Sequence, residues 1–132
     1  MEISGQVVSL KLAKEMKRLG FPQDSLWYWH NIIIGQGEVI ADDKFSLGDK
    51  DVLDFIVKGV GIEYCAAPTV AEMGEKLINL KKVAIVSYYN KECKKWVCQD
   101  IAYVIKIPSF YANTEANARA KMGIYLKKEG LL

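Results

Sequence analysis

Two rhythms of apolar and polar residues divide this chain. Near the start, Val8, Leu12, Met16 and Leu19 recur at spacings of three and four, while Lys11, Lys14, Glu15, Lys17 and Arg18 fill the other positions. That is the helical period, with one stripe to bury and a basic face to leave in water. Gly20 supplies a left-handed stop, and Pro22 follows it. A second helix is predicted from Val70, Met73, Leu77 and Leu80. Its start is marked by Thr69 and, three residues later, Glu72, the spacing of a capping box. Pro68 disfavours helical geometry at Ala67, so the chain should enter from an extended segment. A third helix begins near Asn113 or Thr114, with Glu115 in its first turn. Ala118, Met122, Tyr125 and Leu126 line one face of it, and Gly130 stops it, with Leu131 placed to fold back.

Between these helices the pattern changes to strands. Leu26 to Ile34 is dense in aromatic and β-branched residues, Gly35-Gln36-Gly37 turns, and Glu38-Val39-Ile40 can return. Residues 41 to 50 read as a polar loop, and Asp49 is placed to cap a short helix over 51 to 58 that Gly59 and Gly61 break. Lys82 to Tyr89 is apolar on both faces, which predicts a strand interior to a sheet. Trp96 to Ile107 is a second, longer strand, and the two make a hairpin that Pro108 ends. Runs of strands between isolated helices predict an α+β fold: a mostly antiparallel sheet with about three helices, mainly on one face. The hairpin, residues 83 to 106, and the last helix are expected at the heart of the core.

Composition changes this picture little. The 132 residues are 51% hydrophobic and 26% charged, which suits one globular domain spanning 1–132 and argues against disorder. A chain this long buries roughly two thirds of its unfolded surface, so it needs no metal or disulfide to fold. The formal net charge of +2 is too small to imply a nucleic-acid partner by itself. There is no apolar run long enough for a membrane span and no secretory signal pattern at the start. Cys65, Cys93 and Cys98 cannot all pair with one another, so reduced thiols in a cytoplasm are expected.

Two segments carry a family resemblance. Ala67-Pro68-Thr69-Val70-Ala71-Glu72-Met73-Gly74-Glu75-Lys76-Leu77 and Thr114-Glu115-Ala116-Asn117-Ala118-Arg119-Ala120-Lys121-Met122-Gly123-Ile124-Tyr125-Leu126 look like a family of small proteins of bacterial genomes and prophages. Its members pair an APTxxELG segment with a C-terminal helix similar to TEADARAKMLIYLLEN. The Leu19-to-Ser25 segment is similar as well. The chain departs from the pattern at Asn117 and Gly123, where the family more often has Asp and Leu. The resemblance implies a prophage-type origin and carries over no catalytic residue.

Candidate chemistry is sparse. Cys93-x4-Cys98 resembles half of a metal site, but only Cys65 and His30, both remote in sequence, could complete it, so structural thiols, no structural metal and no cofactor are expected. His30 is the only histidine; a nucleophilic pair would need a cysteine beside it, and no local motif supplies one. Asp42, Asp43, Asp49, Asp51 and Asp54 cluster without a calcium-loop pattern, and Lys44 and Lys50 interrupt them. Glu72 is accounted for by capping, and Gly59-Val60-Gly61 lacks the rest of a phosphate-binding motif.

The aromatic residues remain. Trp27, Tyr28 and Trp29 are consecutive, so on a strand they cannot share a face. Either the two tryptophans point inward and Tyr28 outward, or the reverse. Tyr88, Tyr89 and Trp96 lie on the hairpin, with Lys81, Lys82, Lys91, Lys94 and Lys95 around its ends. These six aromatics are the expected binding surface, and Thr69 and Glu72 the structural cap. The leading expectation is a non-enzymatic protein-binding or self-associating domain. One alternative is a nucleic-acid-binding accessory that uses the hairpin's aromatics and lysines. A second is a small enzyme with His30 in a pocket.

Overall fold

The structure is a computed structural model, and it describes residues 3–30, 45–49, 63–78, 80 and 82–132. Among these residues there are three α-helices and six strands, in the order α1 (Leu10–Arg18), β1 (Trp27–His30), β2 (Ser46–Asp49), β3 (Tyr64–Ala66), α2 (Val70–Ile78), β4 (Ile85–Asn90), β5 (Lys95–Asp100), β6 (Phe110–Ala112) and α3 (Glu115–Lys128). The fold class is α+β. All strand pairs are antiparallel, but they form two three-stranded sheets, β2-β1-β3 and β4-β5-β6. The turn at Gly35-Gln36-Gly37, the strand at 38–40 and the helix at 51–58 lie outside the described residues.

The helix boundaries follow from their caps. Ser9 caps α1, its Oγ accepting from Leu12 N–H at 3.5 Å. Gly20 at φ +89° closes the helix, and Phe21 N–H returns to Met16 C=O at 3.1 Å. At α2, Glu72 N–H donates to Thr69 Oγ1 and Thr69 N–H donates to Glu72 Oε1, each at 3.2 Å. Glu72 Oε1 also accepts from Ser25 Oγ at 3.0 Å, which ties the cap to the segment before β1. Thr114 caps α3, accepting from Asn117 N–H at 3.2 Å. Gly130 at φ +74° ends it, and Leu131 folds back through its N–H, which donates to Leu126 C=O at 2.8 Å, while the side chain that packs on the core is that of Leu132.

Several strand expectations need correction. Residues 46–49 form strand β2 and are not loop; Asp49, paired with Trp27, ends it, and the helix over 51–58 that it is placed to cap lies outside the described residues. β4 starts at Ile85, and Lys82, at the left-handed φ of +68°, lies outside it. Within the described residues β4 is the edge of its sheet, and β5 is the interior strand. β5 in turn stops at Asp100, well short of Ile107. The Asp100 carboxylate accepts from the N–H groups of Ala84 (2.8 Å), Ala102 (3.0 Å) and Tyr103 (3.3 Å), which curls the chain into a turn with Tyr103 at φ +56°. The hairpin between β4 and β5 is present. Asn90 Oδ1 accepts from Glu92 and Cys93 N–H to shape its turn.

Helix α3 organises the core. Ala116, Ala120 and Ile124 pack with Val8, Met16, Phe21, Cys65 and Met73 in one cluster. Ala118, Met122 and Leu126, on another face, pack with Leu77, Cys98 and Ala112 in a second. A helix buried on two sides loses the single apolar stripe that a surface helix shows. Its small residues let neighbours approach: a Cβ on Gly123 would lie 3.2 Å from Met73 Cε.

Candidate functional site

The six aromatics singled out from sequence divide between the two sheets. Trp29 faces the core beside Cys65, and its indole N–H donates to Val8 C=O at 2.9 Å. Tyr28 points to the other face, as strand alternation requires, yet is only 2% exposed. Its hydroxyl donates to Gln23 C=O and accepts from Ser25 N–H. Trp27 is half-buried. Both faces of β1 are thus covered at these residues, and Tyr28 is withdrawn from any surface.

The second sheet differs. Cross-strand register puts Ile85, Ser87 and Tyr89 of β4 on one face with Asp100, Cys98 and Trp96 of β5 and with Phe110 and Ala112 of β6. Cys98, Ala112, Ile85, Trp96 and Phe110 on this face join the cluster under α2 and α3. Tyr89 stays exposed at its margin, edge-on to Trp96 with ring centroids 5.7 Å apart. The opposite face carries Tyr88, Val97 and Tyr111 in one cross-strand row. Val97 at its centre is fully buried, while Tyr88 and Tyr111 on either side are 41% and 50% exposed. Beyond Asp100 the chain also exposes Ile101, Tyr103 and Val104. Tyr111 was not singled out from sequence. Its signal was the apolar run Phe110-Tyr111-Ala112 between Pro108 and the cap of α3, too short to stand out as a strand.

A polar knot lies where the two motif segments meet. Arg119 of α3 donates to Val70 C=O from Nη1 (2.6 Å), to Ser87 Oγ from Nε (2.9 Å) and to Glu115 Oε2 from Nη2 (3.0 Å). Ser87 Oγ donates to the same Glu115 oxygen at 2.5 Å. Gly74 makes room for this arrangement, because a Cβ there would lie 2.6 Å from Arg119 Nη1. A cavity of about 200 Å³ adjoins it, lined by Gly74, Leu77, Ile85, Val86, Ser87 and Arg119. The knot joins α2, α3 and β4, and its geometry accounts for all four groups without a substrate.

The remaining candidates are dispersed. His30 pairs across the sheet with Tyr64 and Ser46, whereas Cys65 pairs with Trp29 and points to the opposite face. Strand alternation therefore separates the imidazole from the nearest buried thiol. Burial lowers the His30 pKa from its usual value. Burial also raises the thiols, Cys98 up to about 12, and Cys65 against the opposing charges of Lys17 and Lys14. Cys93 is exposed in the hairpin turn while Cys98 is in the core, so Cys93-x4-Cys98 does not form a paired ligand set. Among the described residues no three His, Cys, Asp or Glu side chains gather as metal ligands. Of the acidic cluster only Asp49 is described. No helix among the described residues is long and apolar enough to cross a membrane. Compared with family models, with curated proteins and with solved structures, the chain matches none.

Proposed function

We propose that this chain is a non-enzymatic protein-binding domain of prophage type, working in a cytoplasm, whose first partner is a second copy of itself. The observation that carries this reading is the Tyr88–Val97–Tyr111 row. It lies on the sheet face turned away from α2 and α3, and it ends in two half-exposed tyrosines. Tyrosine is enriched at interfaces, and these two flank Val97, which the chain itself already buries, so the contact a partner can make is with the tyrosines. The exposed Ile101, Tyr103 and Val104 add apolar area in the connection that follows the same strand. A two-fold pairing of such faces closes on itself, the common outcome for soluble homomers.

Sedimentation velocity over a concentration series tests this. The wild-type chain should shift from monomer to dimer with increasing concentration, and Tyr88→Ser with Tyr111→Ser should remain monomeric. A wild type that stays monomeric at its highest soluble concentration, or a variant that dimerises as well as wild type, overturns self-association through this face. The enzyme reading has less support, because His30 has no cysteine on its side of the sheet and the Ser87 knot is internally satisfied.

A further inference from the structure

On the other side of Tyr111 lies a cleft of about 350 Å³, at the small end of the range that ligand sites occupy. Lys11 of α1, Lys95 of β5 and Lys121 of α3 all line it, together with Tyr111, Asn113 and Asn117, and none of its lining residues is acidic. Three cations therefore share one concavity in a chain whose formal net charge is only +2. Two of them are positioned by neutral acceptors: Lys95 Nζ donates to Asn113 Oδ1 at 2.5 Å and Lys121 Nζ to Tyr111 C=O at 2.7 Å. Such partners orient an ammonium group without offsetting its charge. Lys11 has Glu15 one turn along α1, but Glu15 is held by Lys128 at 2.9 Å and by Arg18 at 3.5 Å. Glu115, in the first turn of α3, is likewise committed to Arg119 and Ser87. The first turns of α1 and α3 both contribute to the lining, so their dipoles add to the positive potential.

We infer that this cleft binds the phosphate of a nucleotide, with Lys11, Lys95 and Lys121 around the anion and the Tyr111 ring as the platform for the base. Ammonium groups match phosphate by charge, and a half-exposed tyrosine beside them offers the flat surface on which a base stacks. The phosphate-bearing base has two sources, a free nucleotide or a unit within a single strand, and both present the same groups. Tyr111 belongs to both the cleft and the association face, so self-association and stacking compete for its ring; Tyr88 does not line the cleft, and binding is therefore measured in Tyr88→Ser, where association is removed and the cleft is intact.

Binding of thymidine 5′-monophosphate and of a fluorescein-labelled single-stranded oligothymidylate, at low salt and over a salt series, tests the inference. Saturable binding of either probe supports it, and the stronger binder identifies the source. For the strand, log K against log salt should have a slope of about −0.7, the value for one neutralised phosphate. Lys95→Gln with Lys121→Gln should reduce affinity at least tenfold and flatten that slope. Lys91→Gln with Lys94→Gln, in the exposed hairpin turn, should leave affinity within about twofold, and circular dichroism would verify that each variant is folded. Tyr111→Leu should remove the preference for the nucleotide over inorganic phosphate. Absence of binding by both probes, equal losses in the two lysine pairs, or a nucleotide preference that survives Tyr111→Leu would overturn the inference.

Discussion

Cys93 and Cys98 stand five residues apart, yet the fold gives them opposite chemistry. Cys98 is fully buried in the second cluster, and burial pushes its thiol up to about 12, where almost no thiolate exists at neutral pH. Cys65 is buried too, and Cys93 is exposed. In the native protein one thiol per chain should therefore react promptly with a thiol reagent, and two more should follow only in denaturant. Prompt reaction of a second thiol, or retention of the first in Cys93→Ser, would contradict the assignment. Asp100 offers a second test at this scale. Burial alone would raise its pKa, but three backbone N–H donors outweigh burial and hold it below the ordinary carboxylate value. A lowered folded pKa means that the unfolded chain binds the proton first. The stabilisation from Asp100 is therefore complete above its unfolded value and lost as pH falls through the folded one. Asp100→Ala should lower the urea midpoint at neutral pH, and the difference from wild type should shrink in acid. A constant difference across that window would show that the turn depends on something other than the carboxylate.

The helices were legible in the sequence where caps and stripes were local. Thr69 and Glu72 are three residues apart, and both reciprocal hydrogen bonds are there in the structure. Thr69→Ala should cost about 1 kcal/mol, the usual size of a lost cap. Glu72→Ala should cost more, since it also strands the Ser25 hydroxyl, and equal midpoints for the two variants would count against that tie. What one element's own pattern does not disclose is the demand made by its neighbours. Gly123 reads as a weak point in α3, worth about 1 kcal/mol of helix propensity against Ala. In the fold it faces Met73, Phe21 and Leu77 at 3.2 to 3.9 Å from the position of an added Cβ. Gly123→Leu should destabilise by about 1–3 kcal/mol through overpacking, despite the better propensity. Gly74→Ala should also destabilise, because its Cβ would displace an Arg119 guanidinium engaged by Val70, Ser87 and Glu115. A gain in stability in either variant would show that the packing is looser than these distances imply. The strand ends escape a local pattern for the same reason: Asp100 draws on Ala84 sixteen residues away, so its turn leaves no local signature in Trp96 to Ile107. Tyr28 and Trp29 show how far alternation carries. It separates them onto opposite faces, but cannot foresee that the Gln23–Ser25 segment covers the second.

At the scale of the whole molecule, α3 is the element that makes two sheets one structure. Ala116, Ala120 and Ile124 belong to the cluster with α1 and Cys65, and Ala118, Met122 and Leu126 to the cluster with β5 and β6. Leu132 packs against both clusters, and the Lys128–Glu15 ion pair fastens the end of α3 to α1. Neither sheet can lose its packing without exposing one side of this helix. Small domains bound in this way unfold in one transition, with every probe giving the same midpoint. The three tryptophans are placed to test it, since Trp27 and Trp29 report on the first sheet and Trp96 on the second. A variant that keeps only Trp29 and one that keeps only Trp96 replace different residues and will differ in stability. Each should therefore be compared with its own far-ultraviolet circular dichroism. In both, fluorescence and dichroism midpoints should coincide. Met122→Ala, on the second-sheet side of α3, should then lower the midpoint reported by Trp29 as much as that reported by Trp96, by about 2–5 kcal/mol in stability. A Trp29 midpoint that stays put while the Trp96 midpoint falls would show that the sheets unfold separately. Helix α3 would then be a shared boundary between two units and not the core of one.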